Sequence, residues 1–333
     1  MVDPNVEARL NACVAAAGLD PDTPMAVAVQ IGESIGYVNT PVAGSPDRKI
    51  NQATLLYAAS LAKQVVGACF ALAVRDGTVR TSDSLQQWFP ELPGWAASVN
   101  LGQLVCHTGA LPGETELLQR MKEDGETART TPGMIAALHR FRDLESTPGT
   151  SFSYSNIGYV CLARIIELAG GDSLETFSKR RIFEPLGMRH SRFWRGPDAL
   201  PVGAVPVDPE PIVGLPFSLG DGGLWTTVQD FLRWNDAMNR DLLGISETVQ
   251  QTGTLDDGTP LDYAWGIRKI ECQGFTGWSH GGSWPGIYTK SVRFPEIPAS
   301  FVAFTLHTDI DPILRLTEKV QDFLAGHSQG NSD

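Results

Sequence analysis

The chain has 333 residues, with 38 acidic against 26 basic side chains and a formal net charge of −12. Apolar residues make up 42% and charged ones 19%, an ordinary globular mixture long enough to bury a core without disulfide staples. The acidic balance weighs against nucleic acids and anionic membranes as partners, because both call for a basic face.

Residues 5–18 read as a short amphipathic helix with Val6, Leu10, Cys13 and Val14 on one side, stopping at Gly18. Met25–Ile31 and Ser34–Asn39 read as two strands around a tight turn at Gly32-Glu33, and Pro41–Asp47 as a loop. Ser60–Arg75 is the first strong helix: Leu61, Val65, Cys69 and Leu72 form one stripe, and Asp76-Gly77 ends it. From there to about residue 200 the chain is dense in helical pattern and in Pro/Gly breaks. Its clearest helix is Asn156–Leu168, where Ile157, Cys161, Ile165 and Leu168 repeat the spacing. Glu114–Thr131, polar and charged, suggests an exposed flap. Thr226–Asp230 opens a helix with a threonine cap and an acid in the first turn. Tyr263–Ile270, Tyr288–Phe294 and Phe301–His307 read as strands, and Asp311–Ala325 as a terminal amphipathic helix.

Strands at both ends and helices between them predict an α+β fold, an antiparallel sheet flanked by helices. Residues 1–62 and 205–333 would build the sheet domain and 63–204 an inserted, mainly helical lobe, with a ligand cleft between them. No run of 18 apolar residues is present to span a membrane. The five scattered cysteines lack zinc-ligand spacing, so they are expected to be reduced and mostly buried. Acids stand in the first ten residues where a secretion signal would be basic, so a cytoplasmic protein is expected.

Three constellations could carry chemistry. In Ser60-Leu-Ala-Lys63, serine and lysine project from nearly the same face of a helix start, where the dipole favours negative charge on the serine oxygen. A desolvated lysine there can accept the serine proton. In Tyr154-Ser155-Asn156, just before a helix, a phenol near a lysine ammonium ionises more readily and serves as a proton shuttle. Asn156 offers an amide donor to a substrate carbonyl and an acceptor to Lys63. In His280-Gly281-Gly282-Ser283, glycines beside a strand let a substrate approach and free a backbone N–H for an oxyanion. Read singly, each also fits a blander role: a capping serine, an ordinary helix start, a glycine turn.

Together and in this order, the three resemble the serine β-lactamase and penicillin-recognising superfamily. The closest branch holds class C β-lactamases, D-aminopeptidases, D-alanyl carboxypeptidases, esterases and transacylases. Leu104–Gly113, Pro148–Tyr159, Glu184–Met188 and Gly222–Asp230 extend the likeness over about residues 24–325. The resemblance implies that Ser60 is the acylated nucleophile and that Lys63 and Tyr154 share the base. Asn156 would orient the substrate and Lys63. His280 would support Tyr154 or meet a substrate carboxylate, and the N–H groups of Ser60 and Ser283 would form the oxyanion hole. Gly281, Gly282, Trp225, Trp284 and Tyr288 would line the substrate pocket. His107 reads as a turn supporting the lobe.

The chain departs from the family pattern in three places, the first being Gly109-Ala110 in the middle of a block that relatives usually read His-Thr-Ser-Gly-Leu-Pro-Gly. Gly281 lacks the hydroxyl that relatives use for a substrate carboxylate, which weighs against carboxypeptidase and strong β-lactamase activity. No class A-type glutamate is evident as a deacylation base. The expected function is a serine hydrolase that cleaves an ester or amide of a small substrate. The alternative is an acyltransferase passing the acyl group to an amine or alcohol. A D-aminopeptidase or amidase and a non-catalytic binder rank lower. No metal or organic cofactor is implied.

Overall fold

In the computed structural model, which describes all residues except 20–22, 43–44, 127, 197–199, 206–216, 307–308 and 330–333, the hairpin predicted at Gly32-Glu33 forms. Strand β1 (Met25–Ile31) pairs antiparallel with β2 (Ser34–Val42), and β3 (Ser45–Ile50) adds to the outer edge of β2. The loop expected over Pro41–Asp47 is therefore largely strand. Proline is tolerated there because it falls at a register shift next to the sheet edge. Two short strands, β4 (Leu56–Tyr57) and β5 (Arg192–Phe193), flank β6 (Leu224–Thr226) in a small second sheet. The chain closes with β7 (Arg268–Cys272), β8 (Phe275–Trp284), β9 (Ile287–Phe294) and β10 (Ala299–Thr305).

The main sheet has seven strands in the order β3-β2-β1-β10-β9-β8-β7. Both ends of the chain thus meet at its centre, where Met25 faces Thr305 and Ile31 faces Ala299. Strand β1 is apolar at successive positions because both its faces are covered: Ala26 and Ala28 join one core, Met25, Val27 and Val29 the other.

Eleven α-helices lie among the described residues. They are α1 (Pro4–Ala16), α2 (Ala62–Arg75), α3 (Leu85–Trp88), α4 (Leu101–Val105), α5 (Glu114–Glu123) and α6 (Thr131–Leu138). There follow α7 (Asn156–Gly170), α8 (Leu174–Ser178), α9 (Val228–Asn239), α10 (Ser246–Val249) and α11 (Asp311–Gln329). Helices α1 and α11 cover one sheet face through Val6, Leu10, Ile313, Leu316 and Val320. Helix α9 packs on the other, capped by Thr227, whose hydroxyl accepts the Asp230 N–H at 3.0 Å. Helices α2 and α7, the two strongest helical stripes, pack on each other, with Cys69 and Cys161 buried.

Two expectations are corrected. Tyr263–Ile270 is strand only from Arg268, because residues 264–267 turn sharply under α2. Gly266 there has φ +80° and lies so near the Lys63 carbonyl that a β-carbon would sit 2.3 Å from its oxygen. The five cysteines are free, yet Cys13, Cys106 and Cys272 are only half-buried. The Glu114–Thr131 stretch, mostly exposed or half-buried as expected, carries helix α5, anchored through buried Leu117 and Met121. His307, placed at the end of a predicted strand, lies outside the described residues. No helix among the described residues is long and apolar enough to cross a membrane.

Candidate active site

Ser60 stands in a 3₁₀ turn, Ala59–Leu61, that leads directly into α2, so its backbone N–H lies where helix donors lack internal acceptors. Ala59, just before it, is held at φ +48°, a costly conformation for a residue with a β-carbon. Strand β8 braces this turn. A β-carbon on Gly282 would lie 2.7 Å from the Ala58 carbonyl oxygen and 3.0 Å from the Ala59 β-carbon, so only glycine permits the approach.

Lys63, in the first turn of α2, is fully buried. Its Nζ donates to Ser60 Oγ at 3.2 Å, to Asn156 Oδ1 at 2.8 Å and to the Asp221 carbonyl at 2.9 Å. Three acceptors thus surround the three donors of one ammonium group. The ring centroid of Tyr154 lies 5.0 Å from Nζ, and its edge faces solvent, 43% exposed. Serine, lysine and tyrosine from distant stretches of chain do converge.

What holds Tyr154 in place is His107. This residue is 1% exposed with φ +59°, and its carbonyl accepts the Ser153 N–H at 2.8 Å while Nδ1 accepts the Ser155 N–H at 3.1 Å. Its ring lies 4.4 Å from that of Tyr154 and 4.6 Å from that of Tyr263. Burial, with Lys63 nearby, pushes its pKa well below 6.5, so the ring is neutral. The supporting role expected for His107 matches these contacts.

His280 is placed differently from the expectation. Its Nδ1 lies 2.6 Å from the Gly281 carbonyl, which only accepts, so Nδ1 carries the proton and Nε2 accepts from the Tyr263 hydroxyl at 2.9 Å. Both ring nitrogens are occupied, and the Tyr154 ring is 6.2 Å away between centroids. His280 therefore makes no hydrogen bond to Tyr154. Burial, then the charge of Lys63, lowers its pKa to about 3, so it offers no cation at neutral pH.

Two carboxylates missed in the sequence enter the site. Glu114, the first residue of α5, accepts from Asn156 Nδ2 and from Arg129. One of the two N–H donors of Asn156 is thus taken, and its Oδ1 accepts from Lys63 as predicted. Arg129 also pairs with buried Asp221 at 3.2 Å and lies 5.1 Å from the Trp284 ring centroid. Charged residues at a helix start or in a loop carry no periodic signal, and nothing in their spacing links 114, 129 and 221. Tyr263 was hidden likewise, in a segment that read as plain strand.

A cleft in two arms meets at Ser60. The larger, about 600 Å³, is lined by Tyr154, His280, Gly281, Gly282, Ser283 and Tyr288, with Arg268 and Lys290 on its wall. The smaller, about 110 Å³, lies among Tyr57, Glu114, Arg129, Asp221 and Trp284. Glu114, Asn156 and Ser283 border both. Trp225 does not line the cleft: it is fully buried, packed between Tyr57 and Trp194, and belongs to the core. No cluster of metal-ligand type occurs among the described residues.

Comparison with known proteins decides the family, since the model of the β-lactamase family matches residues 16–312. The chain belongs to the β-lactamase family. Members of this family are serine hydrolases. This β-lactamase-family chain is 26% identical over 286 residues to penicillin-binding protein 4* of Bacillus subtilis, covering 78% of the chain and 62% of that relative. To a D-aminopeptidase of Cereibacter sphaeroides it is 30% identical over 176 residues, 48% of the chain and 33% of the relative. The chain thus spans less than two thirds of these curated relatives. Among solved structures, the D-amino acid amidase of Ochrobactrum anthropi SV3 superposes with a TM-score of 0.76 at 20% identity, covering 96% of this chain and 99% of the amidase. At that identity the likeness establishes the fold.

Proposed function

We propose that the chain forms an acyl-enzyme at Ser60 and hydrolyses an ester or amide of a small substrate. The observation that carries this reading is the buried Lys63 Nζ, 3.2 Å from Ser60 Oγ and fixed by two further acceptors. Ser60 Oγ attacks the carbonyl carbon while its proton passes to the Lys63–Tyr154 pair. The backbone N–H groups of Ser60 and Ser283 hold the oxyanion, each donor worth about 2.7–4 kcal/mol. Collapse breaks the bond to the leaving group, which takes the proton through Tyr154. Water then attacks the acyl-enzyme, and the same groups act in reverse. Neutral His280, bonded to Tyr263 and to the Gly281 carbonyl, supplies no charge to these steps. On this reading the cleft divides a sheet domain from a helical lobe, with boundaries near residues 62 and 205.

Glu114 favours a second reading, hydrolysis of an amide whose acyl part bears a free amine. Two carboxylates, Glu114 and Asp221, share one guanidinium in the smaller arm, leaving it one negative charge to attract an ammonium. The D-aminopeptidase and D-amino acid amidase relatives give this reading weight. Acyl transfer uses the same first half, and only the second nucleophile differs. One assay separates the three: release of p-nitroaniline from D- and L-alanine p-nitroanilides and their N-acetyl forms, with and without hydroxylamine. Faster turnover of the free amines supports the amide reading, faster turnover of acetylated forms defeats it, and hydroxamate formed in place of the acid marks transfer.

A further inference from the structure

Lys290 is the unmatched charge of the larger arm. It sits on β9 directly across from Gly281 on β8, and its stem runs past the bare glycine: a β-carbon there would lie 3.8 Å from Lys290 Cδ. The side chain is half-buried, lines the arm that contains Ser60, and has no ion-pair or hydrogen-bond partner among the described residues. The other charges of that wall are satisfied. Arg268 is held by Asp262, Glu114 is held by Arg129 and Asn156, and His280 is neutral. A half-buried ammonium with no partner in the protein is placed to pair with an anion that enters the cleft.

The surroundings define what that anion is attached to. Ile313 and Leu314 of α11, with Ile310 just before it, form the opposite wall, and Ile310 and Leu314 stay 41% and 45% exposed. Large apolar side chains left open beside a reactive serine suit an apolar ligand body. Tyr154 lines this arm and not the smaller one, so the group that departs with a proton lies here.

We infer that Lys290 is a specificity residue that receives a carboxylate on the leaving group, whose apolar body lies against Ile310 and Leu314. The hydroxyl missing at Gly281 had weighed against an anionic substrate. The cation supplied from the neighbouring strand restores that recognition, its stem passing within ordinary contact distance of Gly281. The inference rests on the acyl-enzyme reading for its orientation.

Two esters differing by one charge test it: 4-acetoxybenzoate and its methyl ester, compared by kcat/KM in wild type, Lys290→Met and Lys290→Arg. Comparing the anionic-to-neutral ratio between wild type and variant cancels the esters' difference in intrinsic reactivity. The ratio is expected to fall at least about tenfold in Lys290→Met, the size of one charge-assisted hydrogen bond, and to be largely kept in Lys290→Arg. A ratio within twofold of wild type in Lys290→Met overturns the inference. Calorimetric binding of both esters to Ser60→Ala, with and without Lys290→Met, repeats the comparison without chemistry. Hydrolysis undiminished in Ser60→Ala would end the acyl-enzyme reading alone, while equal binding of both esters would end the role of Lys290 alone.

Discussion

Replacing Gly282 by alanine tests whether β8 positions the nucleophile. The added methyl would meet Thr289 Oγ1 at 2.3 Å, the Ala58 carbonyl oxygen at 2.7 Å and the Ala59 β-carbon at 3.0 Å. Thr289 is buried and its hydroxyl already donates to that carbonyl at 3.0 Å, so it has no free rotamer to escape into. Opening the backbone contact to an ordinary 3.4 Å moves β8 about 0.7 Å from the Ser60 turn. Displacements near 1 Å cost about 10²-fold in rate, and overpacking of this kind costs about 1–3 kcal/mol. Gly282→Ala is therefore expected to lose roughly 10²-fold in kcat for ester hydrolysis while still melting cooperatively a few degrees lower. Gly281→Ala is the internal comparison, since its methyl meets only ordinary contacts at 3.4 and 3.8 Å. Its loss should be at least about tenfold smaller, by the same geometric reasoning. Equal losses at the two glycines, or a wild-type rate in Gly282→Ala, would refute the bracing argument.

Three other outcomes follow from the geometry. Tyr154→Phe and Lys63→Ala should each lose at least ~10²-fold in turnover, the lower bound for a positioned acid–base group, and a near-normal rate removes that residue from the mechanism. His280 binds no proton in the folded state until about pH 3, whereas the unfolded chain protonates near 6.5. Stability from this group is thus complete above about pH 6.5 and lost as pH falls towards 3, by ~2 kcal/mol at pH 5, with His107 acting in the same direction. The urea midpoints of wild type and His280→Gln at pH 7.5 and 5.0 check this, and identical pH slopes contradict it. Arg129→Met leaves buried Asp221 without its cation and should cost ~3 kcal/mol in urea unfolding; a loss under ~1 kcal/mol would mean solvent already screens the pair.

The elements legible in the sequence were those with an undisturbed period. The stripes of α2 and α7, the Gly32-Glu33 hairpin and the late strands β9 and β10 all follow from runs of apolar side chains that pack into the cores. Spacing at a helix start puts Ser60 and Lys63 on nearly one face, but the roles of Ser60, Lys63 and Tyr154 were legible only through the family resemblance of the three constellations taken together. What escaped depends on contacts across the chain. Tyr263 meets His280 only because Gly266 turns under α2, and Glu114, Arg129 and Asp221 assemble only once three separate segments have packed. Trp225 was misjudged for the complementary reason: an aromatic near a motif is as readily core as pocket, and here Tyr57 and Trp194 enclose it.

The most direct measurement is intact-protein mass after exposure to a fluorophosphonate, with Ser60→Ala as control. One adduct per wild-type chain, mapped to Ser60 and absent from the variant, is the predicted result. A wild-type mass that stays unchanged, or an adduct that persists in Ser60→Ala, would contradict the claim that Lys63 and Tyr154 have made this serine a nucleophile.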